Sequence, residues 1–486
     1  MYKDIVVQKI KNAAIYVYIL VYSLLLSAFA LSNPLHSAFI GDSAVFVYVA
    51  RVILDGGMPY RDTFDHKGPL IYLIDAFGLL INERVGIWLL EVLTLYLTFL
   101  FAYKIARLLR CDQFTSYLGV IISVFVLLCY FQGGNLTEEY ACAFITVALY
   151  CFLKFFITGS IKIHNWFVCG VCFVSVCLLR ANMIALWIVM CIGLLVVWIK
   201  NKKKFDVLRF VSWFMAGALF VLLPIFIWIF KNDAFSAFID NYIVFNMLYS
   251  SDQQTVSFYN VWGTIKFFVL NPVILASILL LLCFCVKQNK LVDWLCLNAL
   301  LLSIIMSSIS GRKHVHYGMI FYPFVIYAFL RLLSSLIRNR TAVKSAFIRS
   351  IKIVITLLSV VGYYHIFVPY NLFVSKIMGT ERQVAKIIQS MTTKTDKITV
   401  CGNDDAVYLL SNRKSASKYS YQFPIANINY EIWQEYFNDI KKLTAKVIVI
   451  LPGDYEVFPY MQIKSIIKDY YVLAGKVGET EIFMLK

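Results

Sequence analysis

Apolar residues in this chain come in runs of about twenty, the length a helix needs to cross the hydrocarbon core of a bilayer. Reading the runs in order predicts about eleven transmembrane helices, over residues 13–33, 85–109, 115–132, 139–158, 165–181, 183–199, 207–230, 262–286, 292–310, 317–336 and 349–369. Only Arg180, Ala181 and Asn182 interrupt the fifth and sixth. Between the first two runs lies a long loop, 34–84, in which DSAVFVYVARVIL and PLIYLIDAFGLLI have helical period but are too short to span. They are expected to lie along the membrane interface. From about Asn371 the pattern changes to mixed polar: VSKIMGTERQVAKIIQSM reads as a helix, and KITVCG, AKVIVILP, YYVLAG and EIFMLK as short strands. The predicted architecture is a polytopic α-helical membrane domain over 1–370, with interfacial helices in its first external loop, followed by a small α/β domain over 371–486.

Composition agrees with this pattern. Of 486 residues, 60% are hydrophobic and 15% charged, with a mean hydropathy of +0.74; soluble domains are far less apolar. The net charge of +17 is not the footprint of a nucleic-acid module, whose Lys and Arg gather on one polar face. Here they sit in short clusters between apolar runs, as the positive-inside rule describes. Placing the N-terminus in the cytoplasm makes KIARLLR, IKIH, NKKK, KQNK and RNRTAVK all cytoplasmic. The outer face then receives the loop 34–84, FQGGNLTEE, the loop 231–261, GRKHVHY and everything after about Pro369. The first apolar run is long enough to span and lacks a small-residue cleavage site, so it reads as an uncleaved helix rather than a signal peptide. The expected location is the cell (inner or plasma) membrane, with multiple passes. Nearly all of the twelve cysteines lie inside apolar runs, where Cys acts as a small hydrophobe. Cys169 and Cys172 form a C-x-x-C within a predicted span, without a second pair or a His at ligand spacing, so neither a disulfide framework nor a metal site is expected.

Ionisable groups near an apolar core are costly and point to function. The first external loop concentrates them: GDSAVFVYVARVILDGGMPYRDTFDHKGPL holds Asp42, Arg51, Asp55, Arg61, Asp62, Asp65, His66 and Lys67, with Gly and Pro setting the turns between them. A long apolar helix, then GD opening a short helix, then G-x-P-Y-R-D and D-H-K-x-P-L, resembles the first external loop of the GT-C glycosyltransferases. That family includes protein mannosyltransferases (bacterial family 39-type) and the aminoarabinose transferases of lipid A. NLTEE and GRKHVHYGMIFYP extend the resemblance, which covers about the first 370 residues in topology.

The resemblance implies an inverting sugar transfer from a polyprenyl-phosphate donor to an acceptor hydroxyl of an envelope glycan, lipid or protein, on the extracytoplasmic face. It makes Asp42 the catalytic base; read from the residues alone, Asp42 is also a candidate helix N-cap. Lys67 would stabilise the departing phosphate, or snorkel at the interface. Asp65, His66, Glu138 and Glu139 are candidates for an acceptor or second acidic site, with His66 able to orient its neighbours; the two Glu residues also suit a helix N-terminus. Arg312, Lys313, His316 and Tyr317, with His314 between them, would bind donor phosphate or remain a solvated loop. Arg180, at the outer end of a hairpin, would serve phosphate or anchor at lipid headgroups. No cofactor is expected; a divalent ion bridging Asp42 and a Glu belongs to the wider fold class, but no ligand spacing calls for it. The expected partners are the lipid-linked donor, the acceptor and the bilayer, and not nucleic acid. A transporter or flippase of lipid-linked saccharides is the alternative; an envelope scaffold, with the same fold and no chemistry, is the third.

Overall fold

The computed structural model describes residues 2–36, 39–202, 204–251, 257–338, 366–370, 372–374, 376, 378–422, 425–452 and 460–486. Most of the expected span over 349–369 lies outside them. The chain divides into two compact units. One comprises Met1–Ala30, Trp88–Ile227 and Gln253–Tyr364, the other Leu31–Ile87, Trp228–Asp252 and His365–Lys486.

The first unit is helical. Among the described residues, five helices are long and apolar enough to cross a bilayer: Gly86–Leu108, Thr137–Thr158, Phe205–Lys231, Leu291–Ser308 and Val315–Leu336. Shorter apolar helices occupy Ala14–Ser27, Gln113–Leu128, Ile163–Cys177 and Ala185–Lys200. The run over 262–286 is not one straight helix. It breaks into Phe258–Val269 and Pro272–Gln288, bent by 77°. Pro272 has no N–H to continue the ladder, and Asn271 starts the second piece by accepting from Val273 N and Ile274 N. Helices Ile163–Cys177 and Lys204–Lys231 approach closely at Gly170 and Gly217, where any Cβ would meet the carbonyls of Phe214 and Phe167. Such small-residue crossings are how helices pack where no water drives them together.

The second unit carries a five-stranded sheet, β1 (Lys397–Cys401), β2 (Lys414–Ser415), β3 (Ala445–Ile450), β4 (Tyr471–Val477) and β5 (Thr480–Leu485), in the order β2-β1-β3-β5-β4. β1 runs parallel to β2 and β3, while β5 is antiparallel to β3 and β4. Four of these strands fall on the four stretches with strand pattern. The two-residue β2 is too short to leave one. Helices Asp42–Leu54 and Pro69–Ile81 pack on one another. They share a hydrophobic core with the sheet: Ala44, Val47, Tyr48 and Ala50 meet Val384, Ile388, Ile398, Val400, Val407, Tyr408 and Val447. Polar bonds cross the same seam, from Arg51 Nη1 to the Leu409 carbonyl at 2.9 Å and from Ser415 N to Tyr48 Oη at 2.9 Å. The change of composition near residue 371 marks where apolar runs end. The folded unit, however, draws on three separate stretches of chain, because the two loop helices cannot bury their apolar faces alone.

Candidate functional site

The second unit gathers four of the expected site residues. Gly41 occupies the N-cap of helix Asp42–Leu54 with φ 57° and ψ −140°, a conformation that only glycine adopts readily. Asp42 is thereby the first residue inside the helix, and no side chain caps it. The capping alternative for Asp42 therefore does not hold. Its carboxylate, with the side chain 53% exposed, lies 3.8 Å from Lys67 Nζ. Lys67 Nζ also lies 3.1 Å from His66 Nε2, and its carbonyl accepts from Tyr60 Oη at 2.7 Å, with Tyr72 Oη 3.3 Å away. Tyr60 is fully buried with φ 69°, a strained backbone setting for a bulky residue. That turn aims its hydroxyl at Lys67.

Asp65 is buried and accepts from Tyr72 Oη at 2.6 Å and Tyr421 Oη at 2.8 Å. Burial pushes its carboxyl above the ordinary range, while Lys67 and the two tyrosine hydroxyls oppose that. His66 Nδ1 faces Asp65 Oδ1 at 3.4 Å. The His66 ring lies beside Phe245 and Tyr249, and its carbonyl accepts from Asn246 Nδ2 at 2.6 Å. Asp62, in contrast, is a loop staple. It takes Met58 N and two guanidinium donors of Arg61, which hold its carboxyl below the usual range.

The other expected residues belong to the first unit. Glu138 is buried and pairs with Arg180 Nη1 at 2.6 Å. Arg180 in turn donates to Tyr317 Oη at 2.8 Å, with its guanidinium carbon 4.3 Å from that ring's centre. Glu139 and Glu91 both accept from the backbone N–H of Asn135, at 2.9 and 2.6 Å. His316 Nδ1 lies 2.8 Å from Gln132 Oε1, and its ring stacks on His314. Lys313 is exposed beside Gly263, and Arg312 is half-buried. Tyr317 and Glu138 are thus taken up by Arg180, whereas Lys313 is open to solvent. No three His, Cys, Asp or Glu side chains among the described residues are placed to hold a metal ion.

Over residues 7–384 the sequence matches the family described as "competence-induced protein Ccs4 N-terminal domain". The chain belongs to that family. No curated protein matches it by sequence. In three dimensions it is similar to ArnT from Cupriavidus metallidurans in the apo state, with TM-score 0.61, 13% identity, and 97% of this chain and 98% of that chain covered. The same ArnT bound to undecaprenyl phosphate gives TM-score 0.60 and 11% identity, with the same coverage. An oligosaccharyltransferase from Archaeoglobus fulgidus in complex with zinc and sulfate aligns with 89% of this chain and 67% of its own, at TM-score 0.45 and 12% identity. At these identities the likeness to ArnT is one of fold, and the fold is the GT-C fold that the first-loop motif resembles.

Sequence reading gave no role to Tyr60, which stands in the G-x-P-Y-R-D motif, and missed Tyr72, Tyr421, Asn246 and Glu91. The tyrosines sit in apolar or mixed stretches where an aromatic ring explains itself by burial. Glu91 is a lone acid near the start of a span, a signal that could have been taken up.

Proposed function

We propose that the protein is a membrane glycosyltransferase that moves a sugar from a polyprenyl-phosphate donor to an acceptor hydroxyl of an envelope glycan, lipid or protein. Transfer takes place on the extracytoplasmic face with inversion at the anomeric carbon. The proposal includes about eleven spans, a cytoplasmic N-terminus and an extracytoplasmic α/β domain at the C-terminus. Its main support is the Asp42–Lys67 pair: a half-exposed carboxylate and an ammonium 3.8 Å apart, in a fold shared with a protein solved with undecaprenyl phosphate.

The two charges face one another at 3.8 Å. A donor phosphate is the stronger partner for Lys67, and its arrival frees Asp42 to accept a proton from the acceptor hydroxyl. As the bond from the anomeric carbon to the phosphate oxygen lengthens, negative charge grows on the phosphate. Lys67 then stabilises the transition state more than the ground state. The Asp42 carboxylate also faces the positive charge that builds on the sugar ring. Arg312, Lys313, His316 and Tyr317 keep their role as phosphate-facing groups in this reading, and Glu138 and Glu139 remain acidic candidates for binding sugar or acceptor.

One observation favours the transporter alternative: the bend of 77° between Phe258–Val269 and Pro272–Gln288, since broken helices line substrate paths in transporters. Chemistry separates the two readings. Purified protein in nanodiscs, given sugar-labelled polyprenyl phosphates and an envelope extract, is expected to release polyprenyl phosphate and to place the label on acceptor with the opposite anomeric configuration. Movement of intact donor across liposome membranes without bond cleavage would favour the transporter.

A further inference from the structure

We propose that Tyr421, Asp65 and His66 form a positioning chain for the Lys67 ammonium, so that the C-terminal segment of the protein sets how Lys67 meets its anion. The proposal rests on the reading of Lys67 as the donor-phosphate residue. It moves Asp65 and His66 from candidate acceptor-site groups to positioning residues.

An ammonium has donors only, so His66 Nε2, 3.1 Å from Lys67 Nζ, must act as an acceptor. A neutral imidazole that accepts at Nε2 carries its proton on Nδ1. Nδ1 lies 3.4 Å from Asp65 Oδ1, an ion-pair distance without hydrogen-bond alignment, and the nearby carboxylate favours the proton on that nitrogen. Asp65 cannot turn away, because Tyr72 and Tyr421 donate to its two oxygens at 2.6 and 2.8 Å and it is only 3% exposed. The ring of His66 is walled by Phe245 and Tyr249, and Asn246 holds its carbonyl.

Lys67 is therefore fixed at both ends. Tyr60 holds its carbonyl at 2.7 Å. Of its three ammonium donors, one goes to His66 and one faces Asp42, which leaves one for a ligand before Asp42 yields its own. A lysine is normally a flexible point charge, and holding it before the ligand arrives lowers the entropy lost on binding. Tyr421 lies 356 residues from Asp65 in sequence, so it anchors a first-loop group from the far end of the chain.

The chain is tested on the full-length protein in nanodiscs, with undecaprenyl phosphate as the probe. His66→Ala and Asp65→Asn are expected to weaken its binding about tenfold or more, a change of about 1.4 kcal/mol. Asp65→Asn acts by offering an N–H to Nδ1 and moving the His66 proton to Nε2, where it opposes the ammonium. His66→Gln, whose carbonyl oxygen can accept from Lys67, should restore binding to within about threefold of the parent, and Tyr421→Phe should cost about threefold to tenfold. The KM for donor should follow these changes while kcat moves little. With only six histidines in the chain, nitrogen-15 histidine NMR can read the tautomer, using His66→Gln for assignment; Nδ1–H is expected.

Parent-like binding by both Asp65→Asn and Tyr421→Phe, or a proton on Nε2, would overturn the inference. His66→Gln and Tyr421→Phe keep the local packing, so they decide the matter even where His66→Ala unfolds. Lys67→Met separates the two levels. If it binds undecaprenyl phosphate normally, the reading of Lys67 fails; if it loses binding while the Asp65, His66 and Tyr421 variants keep it, only the positioning chain fails.

Discussion

Two carboxylate–cation pairs in this protein are built in opposite ways. Asp293 and Arg331, in the helical unit, are both buried, and two guanidinium nitrogens meet the two carboxylate oxygens at 3.0 and 3.1 Å. Tyr327 adds a bond to Asp293 at 2.6 Å, Gln288 accepts from Arg331 at 2.7 Å, and the Phe284 ring lies under the guanidinium. Both carboxylate oxygens and two of the three guanidinium nitrogens there have protein partners. In the other unit, the one ion-pair partner of Asp42 among the described residues is Lys67, at 3.8 Å, and half of the Asp42 side chain faces solvent. A saturated pair has no capacity left for a ligand and fastens helices together; an under-partnered one can exchange its partner for a substrate group. Glu138–Arg180 stands between them, short at 2.6 Å and backed by Tyr317.

The largest effect is expected at Asp42. Asp42→Asn is expected to lower turnover by roughly a thousandfold, within the usual range for loss of a general base, with expression and melting temperature unchanged. Lys67→Met should follow with a loss of about a hundredfold or more in rate, since the apolar stem remains and only the charge is gone. Asp293→Asn should do the reverse. Breaking a buried pair costs roughly 3–5 kcal/mol, read as a lower unfolding midpoint, while transfer per folded molecule stays near that of the parent. If folded Asp293→Asn protein lost transfer, partner saturation would be no guide to role. The double change Arg312→Gln and Lys313→Gln should raise the donor KM several-fold with a smaller effect on kcat, as expected of charges that steer rather than react.

A smaller effect, in pH, comes from Asp405. Burial pushes its carboxyl up to about 8, with Asp404 and Asp65 adding to the rise and Ser420 opposing it; among the described residues its Oδ1 has no hydrogen-bond partner. A carboxyl whose pKa is raised by folding binds its proton more tightly in the native state. Its contribution is therefore fully present below the unfolded pKa near 3.8 and is lost as pH rises through about 8. The melting temperature should fall as pH rises from about 4 to 8 and level off above that, and Asp405→Asn should flatten that slope.

The membrane part was legible because an apolar run of span length rarely fits anything but a bilayer crossing: the run over 85–109 became Gly86–Leu108 and that over 139–158 became Thr137–Thr158. The first-loop motif was legible as well, since Gly41, Asp42, His66 and Lys67 are close in sequence. The support beneath the motif was hidden. Tyr421 reaches Asp65 from 356 positions away, and a tyrosine in a mixed stretch carries no mark of its partner. Residues 231–261 read as a loop, yet Phe235–Phe238, Ile239–Val244 and Phe245–Ser251 are continuously helical. That geometry turns Asn246 and Tyr249 toward His66. Pro272 was visible just inside the eighth run, but hydropathy alone does not distinguish a span from a bent pair.

Native mass spectrometry of the purified full-length protein with undecaprenyl phosphate reads the exchange at Lys67 without knowledge of the sugar or the acceptor. The parent protein is expected to carry the lipid phosphate. Asp42→Asn should carry it at least as tightly, since the competing carboxylate is gone, and Lys67→Met should release it. Retention by Lys67→Met, or loss from both variants, would contradict the account.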